Sequence, residues 1–126
     1  MLMEREIAAV LPASDLSRAR QFYHDKLGLD PDVVDEVTGD LRYRLPHGEF
    51  EIYETPNAGT ARNTAMCWIT PDLMADVEEL RAKGIKFEEY DQPGLKTKDG
   101  IADMGGEMAA WFKDSEGNIL CLTQMS

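Results

Sequence analysis

The sequence predicts an α+β fold in which one β-α-β-β-β unit is used twice, its copies forming a curved mixed β-sheet cup with helices on the outside. Three observations carry this expectation. Two stretches of helical apolar spacing open alike, at Asp15-Leu16 and Asp72-Leu73, 57 positions apart, and close alike at Gly28 and Gly84, 56 positions apart. Each has one short apolar run before it and three strand-like runs after it, so what repeats is a whole supersecondary unit. Gly48 and the strand it opens recur as Gly117 and its strand, at a larger offset because the second half carries one long extra segment.

The elements follow in order. Residues 7–11 form a short apolar run with strand character. Ser14 is placed to cap a helix in which Leu16, Ala19, Phe22, Tyr23 and Leu27 fall near helical spacing, and Gly28 closes it as a left-handed C-terminal residue. Strands are expected at 32–37, 41–45 and 50–53, separated by the turns Thr38-Gly39-Asp40 and Pro46-His47-Gly48. A linker at about 55–62 contains Pro56, Asn57 and Gly59, and divides module one (about 5–54) from module two (about 63–124) of a single domain, 1–126. In module two, 65–69 reads as a strand and Thr70-Pro71-Asp72 as a helix start with proline at the first helical position. Leu73, Val77 and Leu80 then lie at i, i+4 and i+7, and strands follow at 85–90, 109–113 and 119–123.

Strand alternation places the candidate site. Phe50 and Ile52, and Leu120 and Leu122, are spaced to bury the helices, so Glu51 and Tyr53, and Ile119, Cys121 and Thr123, point to the opposite face. Two sheets side by side enclose a cup lined by those opposite-face residues, which is where a ligand belongs. The segment 92–108 is longer than ordinary connections and carries Leu95, Ile101, Met104 and the pair Gly105-Gly106. It reads either as a lid over the cup or as a solvated excursion.

Composition narrows the partners. With 24 acidic against 13 basic residues, the net charge of −11 leaves no basic footprint for nucleic acid and disfavours acidic membrane surfaces. No run approaches the length of a membrane span, and the N-terminus is charged early and strand-like, so a cytoplasmic location is expected. The two cysteines, Cys67 and Cys121, fit no zinc motif and no disulfide framework, and read as reduced, buried thiols. The acidic residues at 30–36 and 88–91 fall on or beside the second strand of each module.

Three segments resemble the vicinal oxygen chelate superfamily of glyoxalases, bleomycin-resistance proteins and extradiol dioxygenases. They are LPASDLSRARQFYHDKLGL, TPDLMADVEELRAKGIKF and the closing hairpin WFKDSEGNILCLTQ, in which Ser115 stands where proline is usual. The resemblance implies the cup fold, edge positions for the second strands (where acidic residues discourage aggregation) and a homodimer. It also implies four metal-ligand positions, on the first and last strands of each module, which fall at Ala8, Glu51, Ala65 and Cys121. Only Glu51 is a usual ligand there. Catalytic metals need several donors, and His24 and His47 lie off these strands, so no divalent metal and no other cofactor is expected.

With Ala65 facing the cup, Cys67 does too and lies beside Cys121, while Trp68 packs as core under the second helix. Nothing anchors the parity of Trp111, which leaves cup wall and core both open. The candidate ligand contacts are therefore Glu51, Tyr53, Cys67, Trp111 and Cys121. The thiols read as inert, since neither strand supplies a cation to lower their pKa. Glu51 is either a partner for Arg42 or Arg44, an anchor for a cationic or hydrogen-bonding ligand, or a base with Tyr53 beside it. Two functional readings result. One is a metal-free binder of a small organic molecule. The other is a lyase, isomerase or dioxygenase of the same superfamily with a degenerate metal site.

Overall fold

The computed structural model describes residues 1–125; Ser126, the last residue of the expected domain, lies outside them. A short 3-10 turn, Leu2–Glu4, precedes the first module: β1 (Ala8–Ala13), α1 (Leu16–Leu27), β2 (Val33–Val34), β3 (Leu41–Leu45) and β4 (Gly48–Glu54). The second comprises β5 (Thr64–Ile69), α2 (Leu73–Ala82), β6 (Asp91–Gln92), β7 (Leu95–Lys96), β8 (Ile101–Asp103), β9 (Glu107–Lys113) and β10 (Ile119–Met125). Each module builds a four-stranded mixed sheet, ordered β1-β4-β3-β2 and β5-β10-β9-β8, and β6 with β7 makes a small separate hairpin. In both sheets the first strand runs parallel to the last, so the repeat legible in the sequence is a repeat of topology.

Alternation decides what each sheet buries. Leu11, Ala13, Leu41, Tyr43, Phe50 and Ile52 face α1, which contributes Ala19 and Tyr23. Ala110, Phe112, Leu120 and Leu122 face α2, which contributes Leu73 and Val77. The two sets form one core, tied by an edge-on contact of Phe50 with Trp68 at 6.4 Å. Trp68 thus packs against the core from the helix side, the side its parity predicts, and is half-buried there.

The hairpin turn between β9 and β10 locks the modules together. The buried Asp114 carboxylate accepts from the backbone N–H groups of Glu116 and Asn118, from Asn118 Nδ2 and, at 2.7 Å, from the Tyr23 hydroxyl on α1. Asn118 Nδ2 also donates to the Pro12 carbonyl on β1. The Glu116 carboxylate accepts from the N–H groups of Ser14 and Asp15 and from Arg18 Nε and Nη2, both at 2.8 Å. Gly117, at φ 86°, lies against the linker so closely that a Cβ there would stand 2.8 Å from Gly59 Cα.

Several element boundaries differ from the sequence expectation, each for a local reason. The cap of α1 is Asp15, which accepts from Arg18 N, because Ser14 is engaged by Glu116. Pro71 precedes α2, whose cap is Asp72. The strand expected at 32–37 shrinks to Val33–Val34, since the Asp35 carboxylate captures Val37 N and Thr38 N in a turn. Residues 85–90 form no strand. Ile85 and Phe87 are buried in the core, and only a single bridge joins Phe87 to Phe112. The edge position goes instead to β8, so 92–108 is no structureless loop: it contains β7, β8 and the start of β9.

Candidate functional site

Each sheet has a second face with no helix on it, and the predicted contact residues lie there. On the first sheet, Val10 pairs with Glu51 and Glu51 with Arg42, while Pro12 pairs with Tyr53 and Arg44 with Glu49. These registers put Ala8, Val10, Glu49, Glu51, Tyr53, Arg42 and Arg44 on one open surface. Arg42 Nε stands 3.5 Å from Glu51 Oε2, and Arg44 Nε 3.8 Å from Glu49 Oε1. Glu51 is therefore paired across the strands, and beside it a hollow of about 190 Å³ is bordered by Ala8, Arg42, Arg44 and Glu49. Tyr53 is exposed at the end of the same row.

On the second sheet, Cys67, Cys121 and Trp111 stand side by side across β5, β10 and β9. This register settles the parity of Trp111, which shares the open face with Cys121, while its neighbour Phe112 is core. Trp111 Nε1 donates to Thr64 Oγ1 at 3.1 Å, and Tyr90 meets the indole edge-on at 5.5 Å. Tyr90 is carried by the excursion after α2. Glu89 holds that excursion in place by accepting from Gly100 N and Thr97 Oγ1. Burial, and then the nearby Glu88 and Cys121, push the Tyr90 phenol above its ordinary pKa.

The thiols differ from each other. Cys121 is only 5% exposed, and Cys67, expected to be buried, is exposed because β5 is an edge strand with no helix over this face. The Thr123 hydroxyl sits between them, 3.0 Å from Cys67 Sγ and 3.4 Å from Cys121 Sγ. Burial raises the Cys121 thiol to about 11, against the lowering effect of the Thr123 hydrogen bond.

The five contact candidates thus fall into two sets, Glu51 with Tyr53 on the first sheet and Cys67, Trp111 and Cys121 on the second. Among the described residues no hydrogen bond, ion pair or ring contact links the sets. The four positions implied for a metal do not fit one. Ala8 and Ala65 offer no donor, Glu51 is engaged by Arg42, and Cys121 is a buried thiol. No group of three or more His, Cys, Asp or Glu side chains comes together among the described residues. Sequence reasoning missed Tyr90, Thr123 and Glu89. Tyr90 and Glu89 lie in a stretch read as a strand, and Thr123 was noted only for its parity.

A sequence model of the Glyoxalase/Bleomycin resistance protein/Dioxygenase superfamily matches residues 7–122. Among solved structures, UcmS2 superposes with a TM-score of 0.73 at 19% identity, covering 94% of this chain and 96% of that one. TnmS3, an antibiotic binding protein from Streptomyces sp. CB03234, gives 0.68 at 22% identity over 100% of this chain and 99% of its own. A glyoxalase / bleomycin resistance protein from Catenulispora acidiphila DSM 44928 gives 0.67 at 21% identity over 96% and 98%. A search of curated proteins returns no match. Among the described residues no helix is long and apolar enough to cross a membrane. With the repeated βαβββ topology and a sequence match over nearly its whole length, the chain belongs to the Glyoxalase/Bleomycin resistance protein/Dioxygenase superfamily.

Proposed function

We propose that this chain binds a small organic molecule against the open faces of its sheets, without a metal ion, and that two chains pair to complete each cup. The observation that carries the reading is the donor set at the four implied metal positions: two methyl groups, a carboxylate already paired with Arg42, and a buried thiol. Such a set supplies polarity and shape to a ligand but too few donors to a metal. In this reading Trp111 is an aromatic wall and Tyr53 a free hydroxyl. The Arg42–Glu51 pair offers both signs of charge, and Cys67 and Cys121 form a small apolar floor.

Pairing is supported by the edges. β1 and β5 are both edge strands, and each exposes a large apolar side chain, Val10 at 53% and Ile69 at 78%. A long apolar edge left bare invites another strand edge. That TnmS3 is an antibiotic binding protein is in keeping with an organic ligand.

A thermal-shift screen of small organic molecules against chelator-treated protein tests this reading. A ligand at 100 times its Kd adds about 2.7 kcal/mol to stability. Hits are expected to persist in chelator and to weaken with Trp111→Ala or Glu51→Ala. Turnover of a hit that requires added metal would replace binding with the enzymatic reading.

A further inference from the structure

One apolar recess on the helix side lies away from the open faces. It is a cleft of about 320 Å³ between the exit of α1, the end of β5 and the middle and last turn of α2. Leu27 and Leu29 come from the first module, and Trp68, Leu80, Phe112 and Leu122 from the second. Phe112 and Leu122 are helix-side core residues, so the cleft opens on the opposite side of the second sheet from Cys121 and Trp111.

Its charge is one-sided. Asp76 and Glu79 project from α2 into the rim at a spacing of three, which puts two like charges on one helix face at a small cost in stability. Neither carboxylate has a hydrogen-bond or ion-pair partner among the described residues, and no lysine or arginine lines the cleft. Trp68, half-buried in the wall, adds an indole of the kind that attracts cations. A cation seated here relieves the Asp76–Glu79 repulsion, and its apolar portion covers the leucines beneath. The net charge of −11 favours its approach.

We infer that this interhelical cleft is a second binding site, for a compact organic cation: an ammonium group bearing an apolar substituent. The ammonium lies between the Asp76 and Glu79 carboxylates and the substituent rests on the part-exposed Leu27, Leu29 and Leu80. The site needs both modules but neither open face, so it stands or falls independently of the ligand proposed above.

The chain has two tryptophans, whose indole N–H signals in a 15N-labelled sample are assigned by Trp111→Phe. The full-length protein is titrated with phenethylammonium chloride and, in parallel, with neutral 2-phenylethanol. A saturable movement of the Trp68 signal with the cation is expected, with the alcohol at least tenfold weaker. Asp76→Asn with Glu79→Gln is expected to weaken the cation at least tenfold and to leave the alcohol unchanged. Unfolding curves check the double variant's fold, and Glu79→Gln alone at this exposed position serves if it is compromised. The inference is overturned if the Trp68 signal stays still, if the alcohol matches the cation, or if the substitutions change nothing. A response confined to Trp111 also overturns it, by assigning the cation to the open face.

Discussion

Tyr43 stacks on Phe50 with ring centroids 4.5 Å apart and planes 7° apart, yet its buried hydroxyl has no hydrogen-bond partner. Burial raises this phenol to about 12, with Asp30 adding to the effect and Arg20 opposing it. An unpaired buried hydroxyl costs more than it returns, so Tyr43→Phe should leave stability unchanged or raise it by up to about 1 kcal/mol in urea denaturation. A loss above about 2 kcal/mol would reveal a partner for the hydroxyl. The thiols separate in the same way. With its pKa near 11, Cys121 is roughly one part in a thousand thiolate at pH 8, while Cys67 is exposed. Titration with a thiol reagent should modify one cysteine per native chain promptly and the second only on unfolding. Period-two alternation made Glu51, Tyr53, Cys121 and Trp68 legible in the sequence. It left Trp111 open, because its face depends on the register with β10, a long-range pairing that no local pattern encodes.

At the scale of elements, the β9–β10 turn does more than reverse the chain. The Glu116 side chain is fully buried. Burial alone would raise its pKa, but hydrogen bonds from Arg18, Ser115 and the Asp15 N–H, with the Arg18 charge, outweigh it and hold the carboxyl at about 2, against an ordinary 4.5. A folded-state pKa below the unfolded one means that the unfolded chain takes up the proton first as pH falls. The stabilisation, on the order of 3 kcal/mol, is therefore complete above about pH 4.5 and is lost as pH falls towards 2. Glu116→Gln should flatten the loss of urea stability over that window and cost on the order of 2 kcal/mol at pH 7. Equal acid limbs for variant and parent would contradict this.

Gly117→Ala should be harsher than Gly28→Ala. Both positions have positive φ, but only at Gly117 does a Cβ collide, with the Gly59 backbone. A cost of about 1–3 kcal/mol is expected for the conformation alone, with the collision added at Gly117. The helices were legible because apolar spacing, the repeated Asp-Leu openings and the terminal glycines agree on them, although the caps proved to be Asp15 and Asp72. β8 was not, because three residues between turns carry too little periodicity to outweigh the apolar run at 85–90, which the core claims instead. Glu116 read as an ordinary turn residue for a similar reason: its partners lie about 100 positions away.

For the whole molecule, the two modules share one core and present two open faces, and among the described residues no hydrogen bond, ion pair or ring contact joins their candidate residues. Light scattering on the purified chain is expected to give a dimeric mass. Charge placed at the apolar edges, as in Val10→Lys with Ile69→Lys, is expected to shift it to monomer. A monomeric parent at micromolar concentration would remove the completed cup from the account. Doubled topology was readable because the helix starts and ends repeat 57 and 56 positions apart. The most direct measurement is calorimetric titration of a screening hit into the protein before and after exhaustive chelation, with metal content determined in parallel. The account predicts one affinity under both conditions and no stoichiometric metal. Binding that vanishes on chelation and returns with one equivalent of metal, held through Glu51, would contradict it.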